Sequence, residues 1–409
     1  MALIDLFLQR RVRRGQLAVT HADGSIKTFG TPDPAFPNVA IRFTDKGAAA
    51  AIVRDPGLGA GEAFMRGRLV VEQGDVRDLI NLLAANDPWE AGQNALAASP
   101  GVRAIQAVTH RIGRVNMARR SKRNVAHHYD LSDRLYDLFL DTDRQYSCAY
   151  WTDPAHETLE QAQSDKKAHI AAKLALKPGM RVLDIGCGWG GMALYIHQHT
   201  GADVLGVTLS EEQLKVARRR AGEAGVAAHV KFELIDYRHV TGEFDRIVSV
   251  GMFEHVGPAH YRAFFRQCRD LLTEDGVMLL HTIGRAGAPG VTDKWTTKYI
   301  FPGGYNPALS EIVRGYEGLR MWCSDVEVLR LHYAFTLDRW YDRTVAAKDA
   351  IVALYDEDFY RMWIFYLAGA SAAFRYGGLV NYQLQFTKNR HALPITRDYM
   401  LEDEQRMRS

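Results

Sequence analysis

The pattern of apolar and polar positions changes character along the chain. From about residue 165 onward, short apolar runs alternate with stretches of helical periodicity. "RVLDIG", "ADVLGVTL", "VKFELID", "FDRIVSVG" and "GVMLLHTI" each read as a buried strand. Buried strands separated by amphipathic helices predict a doubly wound, mainly parallel α/β sheet. In such sheets ligands gather beyond the carboxyl ends of the strands. The pattern before residue 95 differs. "VAIRF", "AAIVRD" and "GRLVVEQG" carry strand-like alternation, Pro32, Pro34 and Pro37 mark a turn, and "DVRDLINLLAAN" closes the region as a helix. A smaller mixed α+β domain is expected there. The expected division is therefore residues 1–100 for this domain, 101–123 for a connecting segment and 124–409 for the α/β domain.

At 409 residues the chain exceeds what one core serves, and 47% hydrophobic with 24% charged residues is an ordinary globular composition. No apolar run approaches the roughly 18 residues a spanning helix needs. In "MALIDLFLQRRVRRG" the basic residues follow the apolar ones, the reverse of a secretory signal, so a cytoplasmic protein is expected. Cys148, Cys187, Cys268 and Cys323 lack paired spacing, which argues against a disulfide framework and against a metal site. The net charge of +3 implies no partner, but its distribution does. No acidic residue lies between Glu90 and Asp130, whereas Arg103, Arg111, Arg114, Arg119, Arg120, Lys122 and Arg123 do. Val102, Ile105, Val108, Ile112 and Met117 fall near helical spacing among them. That suits a helix on an anionic membrane surface or a strip facing phosphates, and equally a solvated linker helix. Interleaved aromatics and an N-P-P-Y-like tetrapeptide are missing, which argues against nucleic acid as the partner.

The candidate chemistry begins where the first buried strand runs into "DIGCGWGG", Asp184 to Gly191. Glycines permit a tight turn and close approach to a ligand, and a following helix start offers unpaired N–H groups. The spacing is D-x-G-x-G-x-G-G, not the G-x-G-x-x-G phosphate cradle. A carboxylate beside the turn suits a cationic ligand and would repel pyrophosphate, which favours S-adenosylmethionine (SAM) over a dinucleotide. Asp236 and Tyr237, after the third strand, can accept from an adenine amino group and stack on the ring. Thr208 stands where an acidic residue for ribose hydroxyls is common, so Thr208 and Gln213 would serve instead. The fourth strand ends in "GMFEHVG", placing Glu254 and His255 at the ligand end of the sheet. An isolated acid there is commonly a helix cap or ion-pair partner.

The segments "HHYDLSDRLYDLFLD", "QYSCAYW", "VLDIGCGWGG", "GVTLSEEQ", "VGMFEHVG", "HTIG", "IFPGG" and "LRLHYAFTLDRWYDR", in this order and spacing, resemble the cyclopropane-fatty-acyl-phospholipid synthase family over about residues 120 to 390. The resemblance implies a class I methyltransferase (Rossmann-like) catalytic domain and a lipid-binding role for residues 1–100. It also implies a reaction, in which a methylene group passes from SAM to a cis double bond of a phospholipid acyl chain. A carbocation is deprotonated by bound bicarbonate before the ring closes. By motif, the anion site falls on Cys148, Glu254, His281, Ile283 and Tyr333. The SAM site falls on Tyr146, Ser147, Asp184, Gly186, Gly188, Thr208, Leu209, Gln213, Asp236 and Tyr237. Tyr129 lies near the cofactor or the cation, and His255 is left structural. Trp189, Trp295, Trp340 and Trp363 line an acyl tunnel or belong to the core, and "TTKYIFPGGYNP" is a lid or an ordinary connection. The same resemblance implies a homodimer held peripherally on the inner face of the cell membrane, with unsaturated phospholipid as partner. The alternative product is a methyl-branched chain.

Overall fold

The computed structural model describes residues 2–92 and 132–408. The basic segment and Tyr129 lie outside the described residues. The chain forms two compact units, and neither is continuous in sequence. One comprises the described part of Met1–Ala107 with Thr292–Pro302 and Ala334–Gly378; the other comprises the described part of Val108–Val291 with Gly303–Tyr333 and Leu379–Ser409.

The first unit holds a four-stranded sheet of β1 (Leu17–Thr20), β2 (Ile26–Phe29), β3 (Val39–Phe43) and β4 (Leu69–Gln73), in the order β2-β1-β3-β4. The expected strand in "AAIVRD" is instead the end of a helix, Lys46–Arg54. Asp45 caps it by accepting from the Ala48 N–H at 2.9 Å, and an alanine run is a strong helix former. Helical segments distant in sequence complete this unit, which a single linear boundary does not capture. Phe365, on the helix Glu357–Arg375, packs on Phe64 at 5.8 Å, and the Arg361 guanidinium donates to the Met65 carbonyl at 2.7 Å. The short helix Lys294–Tyr299, which overlaps the start of the segment expected as lid or connection, docks here too. Its Tyr299 hydroxyl donates to Glu62 at 2.7 Å, and Trp295 meets Phe365 edge-on at 5.0 Å.

The second unit is built on seven strands: β5 (Arg181–Ile185), β6 (Asp203–Thr208), β7 (Val230–Leu234), β8 (Phe244–Val250), β9 (Leu272–Arg285), β10 (Trp322–Leu329) and β11 (Leu379–Thr387). Their order is β10-β11-β9-β8-β5-β6-β7. Neighbours among β5 to β9 are parallel, while β11 pairs antiparallel with both β9 and β10. The five expected buried strands are β5 to β9. Alternation along β5 sends Leu183 and Ile185 into one core layer with Phe264 and Phe265, and Val182 into the opposite layer with Ile196 and Val248. The chain reverses its winding beside β5, with β6 on one flank and β8 on the other, which opens a crevice at the carboxyl ends of these strands.

Candidate active site

At the end of β5 the backbone turns through Gly186, Gly188 and Gly190, with φ of +82°, +54° and +84°. A Cβ on Gly186 would stand 2.8 Å from the Met252 side chain, so glycine is required there sterically as well as conformationally. The helix Gly191–Thr200 follows at once, leaving its first N–H groups facing the turn. This turn floors an open cleft, with about 1280 Å³ of free space including the solvent at its opening. All ten residues expected to hold SAM line it: Tyr146, Ser147, Asp184, Gly186, Gly188, Thr208, Leu209, Gln213, Asp236 and Tyr237. Trp189, Met252 and His255 line it as well.

The cleft is electrically asymmetric. Asp184 is buried, and its Oδ2 has no hydrogen-bond partner among the described residues. Burial pushes its carboxyl up to about 7, against the pull of the nearby Lys166 ammonium. Lys166 lies in the helix Leu159–Lys173, fully buried, and donates to Ser147 Oγ at 2.9 Å and to Gln145 Oε1. Burial lowers it to about 8. Asp236 behaves oppositely. Burial would raise it, but hydrogen bonds from the Arg238 N–H (3.0 Å) and guanidinium (2.8 Å) outweigh that and hold it below the usual carboxylate range. Thr208 Oγ donates to Gln213 Oε1 at 3.3 Å, and the Tyr237 ring meets Phe264 edge-on at 5.4 Å. A cationic zwitterion with an adenine ring fits this set: an unpaired buried carboxyl, a glycine cradle, paired hydroxyl and amide groups, and an aromatic wall.

A second, drier cluster lies just past the same strand ends. Val250, the last residue of β8, pairs with His281 on β9, and the Gly251 N–H donates to the His281 carbonyl at 3.0 Å. This pairing brings the turn Phe253–His255 against β9, where the Ile283 N–H donates to Glu254 Oε1 at 2.6 Å. Glu254 Oε2 is buried without a hydrogen-bond partner among the described residues. Burial raises the Glu254 carboxyl to about 7, opposed by the Ile283 N–H and by the neighbouring Thr282 hydroxyl, which donates to the Ile283 carbonyl at 3.1 Å rather than to Oε2. Glu254 and Ile283 are thus in direct contact. His281 is 1% exposed, and its ring nitrogens lie 3.1 Å from the Gln383 amide and 2.9 Å from the Asn381 amide, both on β11. Burial, assisted by Lys166 and Lys173, pushes His281 well below the usual imidazole range. Cys148 is completely buried, which raises its thiol and keeps it protonated. Tyr333 is buried in the first turn of the helix His332–Ala346. Its neighbour His332 accepts from the Trp151 N–H at 2.9 Å, which ties it to the loop that carries Cys148.

Sequence reasoning missed Lys166, Asn381 and Gln383. "SDKKAH" reads as a solvated helix face, yet Asp165, Lys166 and Lys167 are all buried. The only hint at Asn381 and Gln383 is the alternation of "VNYQLQF", which looks like a strand with one wet face.

The strand order, the glycine turn and the cleft beyond it define a class I SAM-dependent methyltransferase fold. A family model described as mycolic acid cyclopropane synthetase matches residues 116–384, and the chain belongs to that family. A second model, described as a domain of unknown function, matches residues 6–89. The chain is 44% identical over 261 residues to the cyclopropane-fatty-acyl-phospholipid synthase of Escherichia coli strain K12. That alignment spans 64% of this chain and 66% of that protein, just under two thirds of its length. The tuberculostearic acid methyltransferase UfaA1 of Mycobacterium tuberculosis is 34% identical over 405 residues, covering 93% of this chain and 90% of that one. Among solved structures, mycolic acid cyclopropane synthase CmaA1 complexed with SAH and CTAB superposes with a TM-score of 0.62 at 35% identity, over 65% of this chain and 97% of that one. No described helix is long and apolar enough to cross a membrane.

Proposed function

We propose that the protein binds SAM in the cleft and adds a methylene group across the cis double bond of an unsaturated phospholipid acyl chain. SAM, when bound, supplies an electrophilic methyl group on a sulfonium centre. Asp184 offers that cation an unpaired carboxylate, Ser147 is braced by Lys166, and the glycine turn admits close approach. An alkene needs no base to attack, but methylation leaves a carbocation on the acyl chain. A proton must leave the new methyl carbon, and the electron pair of that C–H bond closes the ring. Bicarbonate, when bound, supplies the base.

The chain's own part is to hold that anion and exclude water. The observation that carries the reading is Glu254, gripped through Oε1 by the Ile283 N–H at 2.6 Å with a buried Oε2 left over. With its carboxyl near 7, Glu254 is substantially protonated at neutral pH and can donate to an oxyanion that a carboxylate would repel. Cys148 remains a thiol and adds no competing nucleophile. The relatives' names support a lipid substrate, and the bilayer is the expected partner, met from the cytoplasmic side by a homodimer. Purified protein, labelled SAM and cis-unsaturated phospholipid vesicles test the reading. Acyl chains heavier by one methylene with a cyclopropane proton signature are expected; unmodified chains would overturn it.

A second reading, the lipid C-methyltransferase giving methyl-branched chains, is favoured by the near full-length match to UfaA1. Branch-methyl signals in the same product spectra would select it.

A further inference from the structure

His281 stands between two side-chain amides, and hydrogen-bond chemistry fixes how all three must be arranged. As placed, the Asn381 and Gln383 amide nitrogens face the two ring nitrogens at 2.9 and 3.1 Å. A neutral imidazole has one N–H and one lone pair, so it cannot accept from both. One amide must present its oxygen. Gln383 is not free to turn, because its Oε1 accepts from the buried Lys173 ammonium at 2.7 Å. Turning it would set an NH2 group against that ammonium. Lys173 is itself paired with Glu327, whose carboxylate burial would raise but whose bonds from His169 and Lys173 bring down to about 2. Asn381 is under no such restraint. Its Oδ1 is buried without a partner among the described residues, and a half-turn of the amide delivers that oxygen to the ring. The one consistent solution has Nδ1 accepting from Gln383 and Nε2–H donating to Asn381.

The solution has a direction. Lys173 donates to Gln383, Gln383 to His281, His281 to Asn381, and the Asn381 NH2 group takes the place where its oxygen stood, where that oxygen met no donor among the described residues. Asn381 sits directly across from Ile283 in the β9–β11 ladder, and Ile283 is the residue that grips Glu254. We propose that Lys173, Gln383, His281 and Asn381 form a polarised donor chain that starts at a buried ammonium and ends in an N–H aimed at the oxyanion. With both ring nitrogens engaged, His281 then acts on the oxyanion through Asn381 and not directly as the motif implied; Lys173, Gln383 and His281 are positioning residues, and Asn381 is the terminal donor. Successive bonds in such a chain polarise one another, and each donor gains from the one behind it. The position of His281 far below its usual range agrees with a neutral ring. The inference rests on the anion-site reading for its purpose, though not for its geometry.

The test separates the two. Nitrogen-15 spectra of histidine-labelled full-length protein, with His281 assigned by its loss in His281→Asn, report the tautomer directly. The wild-type ring should show a pyrrole-like Nε2 and a pyridine-like Nδ1; the reverse would overturn the chain. In Gln383→Glu a carboxylate accepts from both Lys173 and the ring, so the proton should move to Nδ1 and Asn381 should turn its oxygen outward. In Asn381→Asp the acceptor for Nε2–H is kept, so the tautomer should stay while the terminal donor is lost. Both variants should raise the bicarbonate concentration for half-maximal turnover and slow the reaction by roughly 100-fold, the cost of one preorganised donor, with SAM affinity unchanged. A packing role alone predicts neither the tautomer switch nor its restriction to Gln383. If Gln383→Glu does not fold, Gln383→Met removes the donor without charge and should give a mixed tautomer; a wild-type spectrum in that variant counts against the proposal. Correct tautomers with turnover indifferent to bicarbonate would sink the anion-site reading and leave the chain standing.

Discussion

The cleft around Asp184 and the pocket around Glu254 are fed by neighbouring strand ends, yet they are built on opposite plans. Met252 and His255 line the cleft, and Glu254 between them turns away into the pocket. In the cleft, the rim residues Ile235, Asp236 and Tyr237 stay partly exposed, so a charged molecule can enter and leave. In the second cluster, Cys148, Glu254, His281 and Tyr333 are all under 9% exposed, and Glu254 is held by the Ile283 N–H. The difference fits the two halves of the proposed chemistry. A sulfonium needs a compensating charge and an exit, whereas a carbocation survives only where water is excluded. In both places burial drives a carboxyl to about 7, and the proposed function uses it for opposite ends: Asp184 would be ionised by an arriving cation, and Glu254, in its protonated form, would face an anion.

The sharpest way to break this comparison is Glu254→Gln. Loss of an oriented group at the pocket should slow turnover by roughly 100- to 1,000-fold while the SAM dissociation constant stays within about twofold, as calorimetry and labelled transfer would record. A parallel loss of SAM binding would mean that the two sites are one. The same variant should be the more stable protein in alkali. Glu254's folded value lies above its ordinary 4.5, so its contribution to stability is fully present below pH 4.5 and is lost as pH rises through about 7. Removing the ionisable group should stabilise the protein at pH 8 by up to about 3 kcal/mol, and by nothing at pH 4, in denaturant titrations.

Asp184→Asn sharpens the other side. A cationic ligand prefers the ionised carboxyl, so SAM should bind the wild type more tightly as pH rises from 6 to 8. The variant should lose that slope and bind roughly 10- to 100-fold more weakly at pH 8. Gly186→Ala should have the smallest effect. A positive φ and a Cβ 2.8 Å from Met252 should cost about 1 to 2 kcal/mol, read as a lowered melting temperature and weakened SAM binding together.

The parallel strands were legible in the sequence because β5, β6, β8 and β9 are buried over most of their length and so read as apolar runs, while β7, at the sheet's edge, alternates buried and exposed residues. The cleft was legible for a related reason: a sheet that reverses its winding beside β5 must gather the residues after each strand, so motif spacing alone places Gly186, Thr208 and Asp236 together. The helix at Lys46–Arg54 was misread because a short alanine-rich run fits either period, and the decision lay in the Asp45 cap. The division into units escaped for a different reason. Phe365 and Trp295 carry no local mark of the partner they pack on, and only long-range contact shows that residues 292–302 and 334–378 join the N-terminal sheet. The polar face of β11 was least legible. Asn381, Gln383 and Gln385 alternate with apolar residues as a solvent-facing strand would, yet all are 1% exposed, because Lys173 and His281 satisfy them in place of water.

The central claim is that the Glu254 pocket holds an oxyanion that receives the proton. Rates of cyclopropane formation in buffer stripped of carbon dioxide, with bicarbonate then added back, test it most directly. The wild type should be nearly idle without bicarbonate and rise to saturation with it, and Glu254→Gln should lose that response. A wild-type rate that ignores bicarbonate while rings still form would contradict the account.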